Sequence, residues 1–242
     1  MTNTKKDIQQ DPAIPPSSSQ LGNRAAQRVE QINNHLDSDK QSAGNSDTGH
    51  TAMADLPGVR RIVTDHTADG KAIFGQDEVL RPANPLDPKG GEVPSGSLTP
   101  SFTSIFRTTT HPAHPQGPWT DPHGKMQNLV DASGVTCRIV DFPPVPPDAR
   151  EAQSVNIMHR TLSVDYGVIL EGEIDLVLDE GVRKTMRRGD VVVQRGTIHL
   201  WDNRSGGNCR VFFVLVPARG VVDGDGKMLE GTDTKHLEKE SG

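Results

Sequence analysis

Two histidines in β-rich surroundings carry most of the chemistry this chain can offer. His159 opens the run MHRTLSVDYGVILEGEIDLVL, and His199 lies in GDVVVQRGTIHLWDN. Side chains along a strand alternate between faces, so residues of one parity share a side. His159, Thr161 and Asp165 are all odd-numbered, and His199, Trp201 and Asn203 likewise share one face of their own strand. An imidazole titrates near neutral pH and can serve as general acid or base. Either histidine can therefore move a proton, with Asp165 orienting the ring or sharing that proton. Such chemistry suits dehydration, isomerisation or cyclisation of an activated carbonyl compound. Arg160 and Arg195 flank the histidines and are candidates to hold a carboxylate or phenolate, with exposed rim positions as the alternative. Thr161 and Trp201 complete the candidate substrate contacts, although Trp201, like Phe142, is also suited to the core. Tyr166, the one tyrosine, has even parity and is expected to face away from His159 and pack.

Strands must position these groups. Apolar, β-branched runs recur at Val168–Leu170, Ile174–Leu178, Val191–Val193 and Val211–Val216, bounded by Gly, Pro, Asp and Asn. Ile174, Leu176 and Leu178 alternate with Glu173, Asp175 and Val177, as expected of a strand with one wet face. Glu180-Gly181 reads as a hairpin tip, and Gly196 permits a tight turn before His199. Short strands at this spacing predict an all-β sandwich or barrel, not βαβ units. Arg60–Phe74 and Pro100–Thr110 are expected to add strands to the same barrel. His111–Gly124, with His111, His114 and His123, reads as a Pro-rich surface connection.

These residues resemble the paired motifs of the cupin superfamily. The first motif runs His-x-His, a short gap, Glu, and a hydrophobic strand ending at Gly. Leu170-Glu171-Gly172 supplies that end, Asp165 takes the Glu place, and His159 and Thr161 take the two His places. In the second motif Gly189 leads, Gln194-Arg195-Gly196 stands for Pro-x-Gly, and His199 and Asn203 follow at the expected spacing. Arg60–Thr64, Asp69–Phe74 and Arg138–Pro144 are similar to a narrower group, single-domain cupin oxidoreductases or tailoring proteins of fungal and bacterial natural-product clusters. That likeness runs from about Leu56 to Arg219. It implies a jelly-roll β-barrel (a double-stranded β-helix), commonly dimeric, with His159, Asp165 and His199 gathered at its mouth. Two histidines and a carboxylate would match the facial triad of non-heme iron enzymes, so one divalent metal, Fe(II) first, is the implied cofactor. Thr161 in place of the second His excludes a four-ligand site, and Asp165 is one methylene shorter than Glu.

Composition sets the boundaries. Residues 1–54 are rich in Ser, Asn, Gln, Asp and Gly without an aromatic, and predict a disordered extension. Within it Ala25, Ala26, Val29, Ile32 and Leu36 recur at helical spacing and predict a nascent helix. The barrel domain is expected over 55–221, with its core motifs at 158–203, and a flexible C-terminal tail over 222–242. A net charge of −6 argues against nucleic acid and anionic membranes as partners. The cluster Arg183, Lys184, Arg187, Arg188 reads as the solvated edge of a hairpin. No run reaches the length of a membrane span, and no secretory signal opens the chain, so a cytoplasmic location is expected. Cys137 and Cys209 lie in apolar runs and read as buried free thiols.

Three readings of function follow. The first is a cupin tailoring oxidoreductase acting on a small hydrophobic, polyketide-like or aromatic metabolite. The second is a metal-independent dehydratase, isomerase or cyclase using His and Asp. The third is a barrel that binds a small ligand without turnover. Metal content, wild type against His199→Ala, separates the first two.

Overall fold

The β-branched and aromatic runs do form strands, and they are longer than their apolar cores. In the computed structural model the described residues are 56–232, apart from 88, 95, 118, 126–129, 131 and 150–157. The extension 1–54 and the end of the tail, 233–242, lie outside them. In chain order the strands are β1 (Val59–His66), β2 (Ala72–Leu80), β3 (Ser101–Arg107), β4 (Thr136–Phe142), β5 (Ser163–Glu171) and β6 (Glu173–Val177). They continue with β7 (Arg183–Arg187), β8 (Val191–Arg195), β9 (Leu200–Asp202), β10 (Cys209–Pro217), β11 (Val221–Val222) and β12 (Met228–Leu229).

Two sheets make the body. One has five strands in the order β3-β4-β10-β5-β8, and the other three in the order β7-β6-β9. All their pairings are antiparallel. Among the described residues no hydrogen-bonded ring closes the two sheets into one barrel. An isolated antiparallel bridge between His159 and His199 joins the lead-in to β5 with the lead-in to β9.

Alternation decides what lies between the sheets. On β5 the odd residues Ser163, Asp165, Gly167 and Ile169 are buried, whereas Tyr166 is exposed. On β10 Val211, Phe213 and Leu215 face the same way, and on β4 so do Arg138, Val140 and Phe142. The three-stranded sheet answers with Ile174, Leu176, Met186 and Trp201, and these residues form one core cluster with the apolar residues opposite. Trp201 packs on Phe142 at 6.2 Å and edge-on to Phe213 at 5.5 Å between ring centroids. Gly167 stands directly beneath this packing: a Cβ there would come within 2.8 Å of Val192 and 3.0 Å of the Phe213 ring.

The turns follow the sequence. Asp179–Gly181 makes a short 3-10 turn between β6 and β7. Arg183 and Arg187 on β7 pair with Asp175 and Glu173 across the hairpin at 3.2 and 3.3 Å, so the basic cluster is a solvated edge. Cys137 and Cys209 are both free thiols, the first half-buried and the second buried.

Two expectations are corrected. β1 and β2 pair only with each other and add no strand to either larger sheet. Their inner side is tied down by Arg61, whose guanidinium reaches Asp121, Glu78 and the Ile105 carbonyl and lies 5.4 Å from the Trp119 ring. Nor is the stretch after Val221 loose along its length. β11 and β12 form a hairpin, and Thr232 clamps Arg160 by two hydrogen bonds of 2.8 Å, one through its hydroxyl and one through its backbone N–H.

Candidate functional site

Thr161, Ser163 and Asp165 are buried polar residues on and just before β5, which follows directly on the bridge where His159 and His199 meet. The backbones of these two histidines exchange two hydrogen bonds of 2.9 Å, and their rings lie 4.3 Å apart at 57°. His199 is 3% exposed. Its Nδ1 sits 2.9 Å from the Thr197 carbonyl, which can only accept, so Nδ1 carries the proton and Nε2 keeps its lone pair. Burial, and secondarily the neighbouring His159, push the His199 pKa down to about 4. The ring is therefore neutral across the physiological range.

Asp165 lies on the inner face of β5, opposite Leu215 on β10 and Gln194 on β8. Thr161 donates its hydroxyl to Oδ2 at 2.9 Å, and Ser163 donates to Oδ1. Burial raises the carboxyl above the ordinary carboxylate range; the two hydroxyls, His159 and Arg138 oppose that rise. Of the two imidazoles, His159 is the one that acts on this carboxyl.

The implied metal does not fit this arrangement. Among the described residues no three His, Cys, Asp or Glu side chains converge to hold an ion. Both Asp165 oxygens are already engaged by hydroxyl donors. The side chains of His159, Asp165 and His199 do not group as a facial triad among the described residues; Thr161, in the second histidine place, donates to the carboxylate instead of standing as a ligand.

The remaining candidates separate. Thr161 is buried and part of the cluster. Arg160 spends its guanidinium on the Gly196 carbonyl at 2.5 Å, fixing the turn ahead of His199. Arg195 is exposed at the end of β8, opposite in parity to buried Gln194, so it points away from the cluster. Trp201 is a core residue. Tyr166 faces outward, as its parity predicted, but is 46% exposed and does not pack as expected. Asn203 is structural: its amide donates to the carbonyls of Phe142 and Gly207 at 2.8 and 2.9 Å.

Sequence reasoning passed over Arg138. It is buried on the inner face of β4, its guanidinium 5.3 Å from the Phe102 ring centre. Burial lowers its pKa to about 10, still leaving it charged, and Asp165 acts in the opposite direction. Its signal was an arginine in phase with Val140 and Phe142 within an apolar strand.

Relatives with this sequence are known. The chain is 37% identical over 177 residues to "Phomopsin biosynthesis cluster protein D" of Diaporthe leptostromiformis, covering 71% of this chain and 84% of that protein. To the "Cupin-domain-containing oxidoreductase virC" of Hypocrea virens it is 31% identical over 190 residues, covering 75% and 89%. The chain belongs to the family of cupin-domain-containing oxidoreductases. A third member, fogC of Aspergillus ruber, is 30% identical to this cupin over 184 residues, 74% of this chain and 82% of that one. No protein-family model matches it. Solved structures similar to this cupin include a cupin 2 conserved barrel domain protein of Salinispora arenicola, at 17% identity, TM-score 0.32 and coverage of 50% and 79%. Within its fold, this cupin replaces a second histidine by Thr161 and the motif proline by Gln194, and both substitutions face the interior.

Proposed function

We propose that this cupin is a tailoring enzyme of secondary metabolism that moves protons on a small aromatic or polyketide-like substrate, with His199 and His159 as the proton-accepting pair and Asp165 as the group that holds the proton. One observation carries the reading: the neutral, fixed Nε2-bearing ring of His199 packs on His159, and His159 in turn acts on a buried carboxyl clamped by Thr161 and Ser163. Removing an acidic proton from a phenol or an enolisable ketone is general-base catalysis, which typically contributes about 10²–10⁴-fold. The oxidoreductase names of the relatives favour a second reading, an oxidation of that substrate; loss of the same proton is compatible with either outcome. Arg138 would offset negative charge that develops beside Asp165.

The same reading includes a homodimer. Phe74 at 77% exposed and Val79 at 66%, with Ile62, stand uncovered around the Arg60–Asp77 ion pair on the outer face of the β1–β2 sheet, which supports pairing with a second copy. Among the described residues no helix is long and apolar enough to cross a membrane; a cytoplasmic enzyme is the location we propose.

The test is hydrogen–deuterium exchange at the acidic carbon of benzoylacetone and 2′,4′-dihydroxyacetophenone, followed by NMR, with metal content measured on the same protein. Wild type should accelerate exchange without stoichiometric metal, and His199→Ala and Asp165→Asn should abolish the acceleration. Stoichiometric iron that disappears in His199→Ala would overturn the reading in favour of a metal centre. No acceleration with either probe would overturn it as well.

A further inference from the structure

β8 turns Val192 and Gln194 inward and Val191, Val193 and Arg195 outward. Gln194 is 3% exposed and stands directly opposite Asp165 in the β5–β8 ladder. Residues paired in this way share a face, with their Cβ atoms roughly 5 Å apart. The Gln194 Nε2 is buried and has no hydrogen-bond partner among the described residues. An amide nitrogen carries two donors. Buried donors are nearly always satisfied, and one left empty in a native interior calls for a reason.

The neighbours narrow that reason. Asp165 accepts from Thr161 and Ser163 and not from the amide, although it stands opposite in the ladder. On either side along the sheet Leu215 and Val192 offer no acceptor from their side chains. At the place where the second cupin motif carries a proline, without any donor, this chain puts a hydrogen-bonding amide that its own fold does not use.

We propose that Gln194 is a specificity-determining residue whose Nε2–H donates to a neutral carbonyl oxygen of the substrate, holding that carbonyl against Asp165 and the histidine pair. The inference rests on the reading of this cluster as the substrate site. A neutral oxygen is favoured over a carboxylate, because an anion brought into this buried polar cluster would be poorly solvated. An amide fixed on the carbonyl would direct the carbon next to it toward the proton acceptors. Apolar contacts alone would not distinguish a ketone from a hydrocarbon of the same shape.

The experiment uses a matched pair of probes on the full-length protein: acetophenone, and α-methylstyrene, in which a CH₂ replaces the carbonyl oxygen. Dissociation constants come from ligand-observed NMR titration, and thermal midpoints from the same samples. Wild type should prefer acetophenone by about fivefold or more, the scale of one net hydrogen bond. Gln194→Met, of similar length and without a donor, should lose the preference while its midpoint stays level or rises. Retention of the preference in Gln194→Met would overturn the proposal, as would its absence in wild type. A midpoint that falls while the preference persists would assign the amide to a trapped water or to the fold. Proton exchange distinguishes this from the catalytic reading. A Gln194-dependent preference without exchange in wild type keeps the binding role and sinks the chemistry; exchange with an unchanged KM in Gln194→Met does the reverse.

Discussion

The Thr161 hydroxyl donates to Asp165 Oδ2 at 2.9 Å, so the residue standing in the place of a second histidine supports the carboxyl group instead of sharing a ligand with it. With Ser163 on the other oxygen, two hydroxyls hold a carboxyl that burial would otherwise leave poorly solvated. Thr161→Val keeps the shape and removes one donor. It should destabilise the fold by about 1–3 kcal/mol, the cost of an emptied buried acceptor, and raise the Asp165 pKa further. Urea denaturation at pH 7, with the carboxyl followed by infrared or NMR titration, checks both; an unchanged carboxyl titration would show that the bond does not govern it.

Gly172 joins β5 to β6 with φ +73, and a Cβ there would lie 2.5 Å from the Asn208 carbonyl oxygen. The left-handed backbone alone costs a non-glycine residue about 1–2 kcal/mol, and the clash with backbone adds to it. Gly172→Ala should therefore lose more than that range. Gly181→Ala also has positive φ but meets nothing within 4 Å, so it should lose less. Equal losses for the two variants would show that the approach of Asn208 is irrelevant.

The fold was legible wherever side-chain parity was clean. β5, β8 and β10 announce themselves by apolar, β-branched runs and by Gly172 and Gly196, β6 by alternation, and the outward placing of Tyr166 follows from parity alone. The independence of β1 and β2 was not legible, because their alternating pattern fits a body strand. Only the three-dimensional position of Asp121 and Trp119 shows what Arg61 holds. Likewise the expected metal triad rested on residue types at matching spacing. Spacing cannot show that Thr161 and Ser163 occupy both oxygens of Asp165. Arg138 and Gln194 were read as motif positions and not as site residues, because a polar residue in a largely apolar strand reads as an outward position until the register is known.

Asn203 is 1% exposed and binds both the Phe142 and Gly207 carbonyls while its own Oδ1 accepts from the Ser205 N–H and hydroxyl. Its backbone carbonyl also receives Val145 N–H at 2.9 Å. Asn203→Ala strands two buried carbonyls and frees the loop before β10, and should cost about 2–4 kcal/mol at roughly 1 or more per emptied partner. The contrast with His199→Ala is diagnostic. Asn203→Ala should lower the thermal midpoint and leave proton exchange intact in the remaining folded protein, as expected of a positioning role in the scaffold. Exchange lost in parallel with an unchanged midpoint would place Asn203 in the chemistry instead.

Acid stability tests the state of His199. Its folded pKa of about 4 lies below the value near 6.5 of an unfolded histidine, because burial and His159 disfavour the cation. Between those values the unfolded chain binds the extra proton, so stability is complete above pH 6.5 and falls as the pH drops toward 4. The full drop is about 3 kcal/mol from this one ring. Asp165 acts with the opposite sign: its folded pKa is raised, so its contribution is lost as pH rises through that value. The groups facing the ring are His159, Arg160 and the Thr197 carbonyl, and none of these is altered in His199→Gln. That variant should be relatively more stable than wild type at pH 4.5 than at pH 7.5, by denaturant melts at each pH, since carboxylates common to both proteins cancel in the difference. In Asp165→Asn the shift should run the other way, with the variant gaining on wild type as pH increases. A wild-type and His199→Gln difference that stays constant from pH 7.5 to 4.5 would mean the ring is not held neutral, and the proton acceptor would have to be sought in His159 alone.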